Sequence, residues 1–159
     1  MIYLGINCGC NPADIKTLTK SDINGNWLEY YRRKSATKRR AWLWKETVKS
    51  INAVKQTFET DLIFTTKYKG PWGQVGLTDC PITKAFRKLL DVSNLYRPGH
   101  SFGALRSTYR TWTDELPDEP AINLTMGHVD GKVSATYRQE ISDERLVAVS
   151  KHVRKRLGG

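Results

Sequence analysis

The sequence predicts a mainly α-helical fold with a small three-stranded antiparallel β-sheet, and three observations predict it. Apolar residues recur at helical spacing in Glu46–Glu59 (Val48, Ile51, Val54, Phe58) and in Pro81–Leu90 (Ile82, Phe86, Leu89, Leu90). Everything from Phe102 onward reads as helix. Ahead of them, Trp27–Arg33 and Arg39–Trp44 alternate as two strands joined by the basic connection KSATK.

The remaining elements follow in order. Residues 11–18 form a short helix, with Asn11 as N-cap and Pro12 at the first helical position. Asp22–Asn26 has turn chemistry. Leu62–Thr66 is a third strand or an extended segment, followed by a loop bearing Gly and Pro up to Gly76. Phe102–Glu115 is one helix and Pro117–Pro120 breaks it; Ala121–Met126 and Val133–Ile141 are two more. A last helix begins at Ser142, with Glu144 near its start and Lys151, Arg154, Lys155 and Arg156 near its end, a polarity that suits the helix dipole.

With 159 residues and no internal repeat or linker, the chain reads as one domain, 1–159, large enough to bury a core without disulfides or metal. Three cysteines, Cys8, Cys10 and Cys80, form no CxxC pair, so buried thiols are expected and a zinc site or disulfide framework is not. No apolar run approaches membrane-spanning length and no signal-peptide layout is present, so the chain reads as soluble and cytoplasmic. Lys and Arg number 26 against 16 Asp and Glu, a formal charge of +10, which makes nucleic acid the first partner to consider. An anionic membrane surface is second, and an RNA-binding or ribosome-associated domain has only the charge behind it.

Order and spacing in the last third sharpen this. The run LRSTYRTW, then MGHVDGKVSATYRQEI, resembles the C-terminal signature of tyrosine recombinases (the phage-integrase family), in which HxLRHT precedes LGH and then a nucleophilic Tyr. The interval from His128 to Tyr137 fits that signature. Upstream, LGINCGCNPADIKTLTKSDIN is similar to the family's first-arginine box, and YRRKSATKRRAWLW to its hairpin with a lysine before the turn. The resemblance covers nearly the whole chain in the right order. It implies the tyrosine recombinase catalytic-domain fold, without its first helix and without the N-terminal core-binding domain that clamps the other face of DNA.

The resemblance also implies a chemistry that needs no cofactor, no metal and no small-molecule substrate. A Tyr hydroxyl attacks the scissile phosphate, giving a 3′-phosphotyrosine and a free 5′-hydroxyl, and a second strand later reverses the step. Guanidinium groups suit the extra negative charge of the transition state. By resemblance, Tyr137 is the nucleophile, Arg106 the second arginine that clamps the phosphate, and His128 a hydrogen-bond donor to it. Lys34 is the hairpin lysine and general acid, with Lys38 close enough to compete. The partner implied is double-stranded DNA, with a homotetramer on paired sites, as in integration or excision of mobile DNA.

Two family positions are substituted. Asn11 stands where the first arginine is expected, and Gly103 where a histidine is expected three residues before Arg106. His100 is near enough to replace the histidine by a loop shift, and Arg33, Arg39 and Arg97 are candidates to restore charge. Asp14, where the family has a buttressing Glu, becomes a simple first-turn acid. The hairpin residues Arg32, Arg33, Lys38, Arg39 and Arg40 are candidate DNA contacts; the plainer reading is a charged, solvated sheet edge. The tryptophans belong mostly to core and rim, and the terminal KHVRKR to helix-end charge.

Overall fold

The computed structural model describes residues 1–33, 35–54, 60–73, 80–128 and 140–158. It opens with helix α1 (Ile2–Cys8), which buries Leu4, Ile6, Asn7 and Cys8. No cap residue or long apolar period marks this helix in the sequence. It stops at Gly9, whose φ of 65° is left-handed. A Cβ there would lie 2.9 Å from Tyr109 Cδ1, so conformation and neighbour both require glycine. Helix α2 (Pro12–Ile15) has the predicted cap, Asn11, whose side-chain oxygen accepts from the Asp14 N–H at 2.7 Å. It ends three residues earlier than the expected 11–18.

A 3-10 turn at Lys20–Asp22 leads into the sheet, where the Asp22 carboxylate accepts from the Thr19 N–H at 2.7 Å. The strands are β1 (Ile23–Asn24), β2 (Trp27–Tyr31) and β3 (Lys38–Trp42), antiparallel in that order. The third strand therefore comes from Ile23–Asn24, within the segment read as turn. Asp22 fixes the chain before the tight Gly25–Asn26 reversal, and two residues remain to pair with Leu28 and Trp27. Leu62–Thr66 is the extended alternative instead. Leu62 and Thr65 make isolated bridges to Thr19 and Pro71, while Ile63 and Phe64 are buried in the core.

Pairing of Leu28 with Ala41 and of Tyr30 with Arg39 puts those four side chains on the core face. Trp27, Trp42, Glu29, Arg40, Tyr31 and Lys38 share the other face, where Trp27 and Trp42 meet edge to face at 4.9 Å. Arg39 is consequently 0% exposed and cannot touch DNA, which corrects the expectation that it is a hairpin contact or a replacement for the arginine missing at position 11. Its Nη1 pairs with Asp14 Oδ2 at 3.1 Å and donates to Tyr30 Oη at 3.2 Å; Nε donates to the Thr125 carbonyl at 2.8 Å, and Nη2 to the Cys8 carbonyl. Bonds at all three guanidinium nitrogens are what a buried arginine needs.

The other helices are α3 (Lys45–Val54), α4 (Pro81–Val92), α5 (Phe102–Thr113), α6 (Glu119–Met126) and α7 (Asp143–Arg156). The expected break between helices falls at residues 114–118, and Pro120 lies just after it in the first turn of α6, where a backbone N–H would have no intrahelical partner; Asp118 caps that turn by accepting from the Ala121 N–H at 3.2 Å. Ser142 is the N-cap of α7, as expected, and Ile141 lies outside any helix; the rest of the helix expected at Val133–Ile141 is outside the described residues, apart from Glu140, which is not helical. One apolar cluster joins α1, the sheet and α4 through Leu4, Leu28, Leu43 and Ile82. A second joins α5, α6 and α7 through Tyr109, Ile122, Met126 and Val149. Asn7 ties the two together. It donates to the Trp42 carbonyl and Ser150 Oγ, and accepts from the Trp44 N–H and Thr47 Oγ1, all within 3.2 Å. No helix among the described residues is long and apolar enough to cross a membrane.

Without Arg39 the Thr125 and Cys8 carbonyls lose their buried side-chain donor, and Asp14 keeps only Arg32. Arg39→Met should therefore destabilise the fold by about 3–5 kcal/mol in urea unfolding. Arg40→Met, which removes a half-exposed pair with Glu29 on the outer face, should cost about 1 kcal/mol or less.

Candidate active site

The site is built on the end of α6. A helix leaves its last carbonyls without intrahelical partners and carries negative potential there. Three consecutive carbonyls at this end each accept from a different arginine. Thr125 O accepts from Arg39 Nε at 2.8 Å, Met126 O from Arg106 Nη2 at 3.5 Å, and Gly127 O from Arg32 Nη1 at 3.0 Å. The three guanidiniums arrive from β3, from the middle of α5 and from the end of β2.

Gly127 makes this geometry possible. Its φ of 63° ends α6 in the left-handed region and lets the His128 N–H bond back to the Asn123 carbonyl at 2.9 Å. A Cβ at this position would come within 2.4 Å of Arg32 Cδ, so glycine also makes room for that side chain.

Arg106 and His128, paired by the sequence reading, are in contact. Arg106 Nη1 donates to the Gly9 carbonyl, and Nη2 lies 2.5 Å from His128 Nε2. A guanidinium only donates, so Nε2 accepts and the imidazole is neutral with its proton on Nδ1. Partial burial, then the charges of Arg106 and Arg32, hold the His128 pKa below its ordinary 6.5. Burial, then the neighbouring charges of Arg39 and Arg32, also lower the Arg106 pKa, against the opposing Asp14 carboxylate.

Asp14 is more than a first-turn acid. Its carboxylate receives Arg32 Nε at 3.1 and 3.4 Å and Arg39 Nη1 at 3.1 Å, so it anchors two of the three arginines. One carboxylate among three guanidiniums leaves the site strongly positive, suited to an anion with several acceptor oxygens. Asn11 is the N-cap of α2, its side-chain oxygen bound to Asp14 N–H. Gly103 sits exposed in the first turn of α5, where a Cβ would meet Ser101 Oγ at 3.5 Å and nothing nearer.

The other expected residues fall elsewhere. Arg32 turns inward to the site, while Arg33 is exposed on the hairpin. Lys38 and Arg40 both pair with Glu29 on the outer face, and Arg40 also pairs with Asp143 and lies over the Trp27 ring. His100 turns Nδ1 to the Leu95 carbonyl at 3.3 Å and lines a groove along α4, and Arg97 is exposed. Lys34 and Tyr137 lie outside the described residues. Sequence reasoning missed the inward role of Arg32 and the double pairing of Asp14. The alternation Leu28, Tyr30, Arg32 was the available signal, since it extends the core face one residue past β2. Among the described residues no group of three or more His, Cys, Asp or Glu is placed to hold a metal ion.

No family model matches the chain, and no curated protein matches it in sequence. Solved structures do match its shape. The lambda integrase catalytic core superposes with a TM-score of 0.59 at 19% identity, over 80% of this chain and 80% of that one. XerA recombinase superposes with a TM-score of 0.65 at 16% identity, over 96% of this chain and 56% of that one. A lambda integrase dimer bound to a COC′ core site gives 0.60 at 18% identity, over 89% of this chain and 44% of the other. The chain thus spans about half the length of the two longer structures. Mainly helical, with one small antiparallel sheet, it has the fold of a tyrosine recombinase catalytic domain.

Proposed function

We propose that this chain is the catalytic module of a site-specific recombinase that cuts and rejoins double-stranded DNA through a 3′-phosphotyrosine at Tyr137. The observation that carries the reading is the contact of Arg106 with His128 in a half-buried site crowded with guanidiniums, on this fold. In the reaction, the Tyr137 hydroxyl gives up its proton to solvent as its oxygen bonds to phosphorus, and the bond from phosphorus to O5′ breaks. Lys34 delivers the proton that the leaving 5′-oxygen takes up. Arg106 holds the non-bridging oxygens as charge builds on them, and His128 adds a neutral N–H donor. Lys38 is the weaker candidate for the acid, because its ammonium is paired with Glu29 at 3.0 Å on the outer face. Arg33 contacts the DNA backbone from the hairpin, with Lys38 and Arg40 alongside it. A lambda integrase tetramer bound to a Holliday junction has a similar fold, and supports a homotetramer on paired DNA sites as the working assembly; integration or excision of mobile DNA is the process this chemistry serves.

A second reading has its own support. Asn11 brings no charge, its side-chain oxygen is bound within α2, and Gly103 leaves its place empty, so a DNA-binding module with impaired catalysis fits the same fold. Removing a transition-state donor costs on the order of 10²–10³ in rate.

A covalent trap separates the two. The protein is incubated with nicked, sequence-randomised duplexes whose short 5′-hydroxyl fragment is lost after cleavage. The expected result is DNA attached to Tyr137 by peptide mass spectrometry, absent from Tyr137→Phe and more abundant in Asn11→Arg. Duplex binding with no adduct in any of the three would decide for the impaired module.

Protonating His128 beside Arg106 and Arg32 is unfavourable, so its imidazole should titrate below 6.5 in an NMR pH series. Arg106→Gln should raise that midpoint toward 6.5 without reaching it, because burial, the larger cause, persists. The folded state then resists a proton that the unfolded chain accepts, so stability falls as pH drops below 6.5, and His128→Gln should lessen that fall.

A further inference from the structure

We propose that Arg32 supplies the second phosphate-clamping guanidinium of this site, delivered from the end of β2 in place of the charge that Asn11 does not provide. The proposal rests on the reading of the site as a phosphodiester-cleaving centre and adds a residue to it.

Its position carries the argument. Leu28 and Tyr30 point to the core, and Arg32 continues that alternation past the last residue of β2. Its guanidinium is fixed at two points, with Nε on the Asp14 carboxylate and Nη1 on the Gly127 carbonyl at 3.0 Å. Arg106 reaches the adjacent carbonyl, Met126, and the imidazole that follows Gly127 is the one Arg106 contacts. Two guanidiniums thus flank the Gly127–His128 segment, and their mutual charge is felt at Arg106. Arg39, the third, is wholly buried and cannot reach a ligand, whereas the Arg32 side chain is 12% exposed.

The link to position 11 is equally direct. Asn11 caps α2, and the N–H it binds belongs to Asp14, the residue whose carboxylate holds Arg32. The guanidinium missing from the start of α2 is therefore brought to the first turn of that same helix by a different strand. It is pre-positioned there, so binding a phosphate freezes little further side-chain motion. The room that Gly127 leaves for Arg32 Cδ fits the same arrangement.

The test uses the whole chain as wild type, Arg32→Ala, Arg32→Gln, and Arg32→Ala combined with Asn11→Arg, each checked for folding by thermal unfolding. Two quantities are read: the rate of adduct formation on nicked duplex at saturating DNA, and the salt dependence of binding to a mixed-sequence duplex. Loss of a transition-state guanidinium should slow adduct formation by about 10²–10³-fold. Loss of one phosphate contact should lower the slope of log affinity against log salt by about 1. Asn11→Arg should recover most of the rate in the Arg32→Ala background, an effect that a purely structural Arg32 would not show. Arg32→Gln, which keeps an amide donor for Gly127, carries the test if Arg32→Ala fails to fold. Rates within threefold of wild type with an unchanged slope would overturn the proposal. If the wild type forms no adduct, the cleavage reading fails and the slope alone decides. A drop of about 1 then keeps Arg32 as a phosphate ligand, and no drop removes it.

Discussion

Three carbonyls at the end of one short helix, together with one carboxylate, hold three arginines in a space that would otherwise repel them. Thr125, Met126 and Gly127 each receive a guanidinium, and Asp14 neutralises part of the charge of two. Without the Gly127 reversal these carbonyls would not be presented together, and without Asp14 the buried Arg39 would have no counter-ion. The arrangement also ties α2, the hairpin, α5 and α6 into one unit, because each contributes a group. Fold stability and site charge are therefore set by the same contacts.

The cost of that design is positive charge held close in a poorly solvated place. Arg39 resolves it by bonding to protein at all three of its guanidinium nitrogens. Arg106 and Arg32 are anchored by bonds to carbonyls and carboxylate yet remain near each other and near His128, whose pKa is held below its ordinary 6.5 by burial and by their charge. A phosphodiester carries the acceptor oxygens and the charge that such a pair lacks. In the proposed reaction, binding it would relieve a repulsion already present in the folded protein, and the further charge of cleavage would fall on groups that need not move.

Much of this was legible in the sequence. The helical periods at α3 and α4 placed those helices, and alternation on either side of KSATK placed β2 and β3 to within about two residues. The Asn11–Pro12 and Ser142 starts were visible because capping is local chemistry. Helix α1 was not visible, since seven residues ending at a glycine carry too little periodicity to stand out. Nor was β1, whose two residues are set by the turns around them. Arg106 and His128, singled out by order and spacing, lie in contact. The inward turn of Arg39 was written in the strand alternation but masked by its basic neighbours, Lys38 and Arg40, which face outward. The convergence of Arg32 on Gly127 depends on contacts 95 residues apart in the chain, which no local pattern reveals.

The measurement that bears most directly on this account is a crystal structure of the chain bound to a duplex that Tyr137→Phe leaves uncut. One backbone phosphate is expected at the Gly127–His128 segment, with its non-bridging oxygens accepting from both Arg32 and Arg106 and the residue-137 ring directed at its phosphorus. A duplex bound with no phosphate at the Gly127–His128 segment, and with Arg32 and Arg106 bonded only to protein, would contradict it.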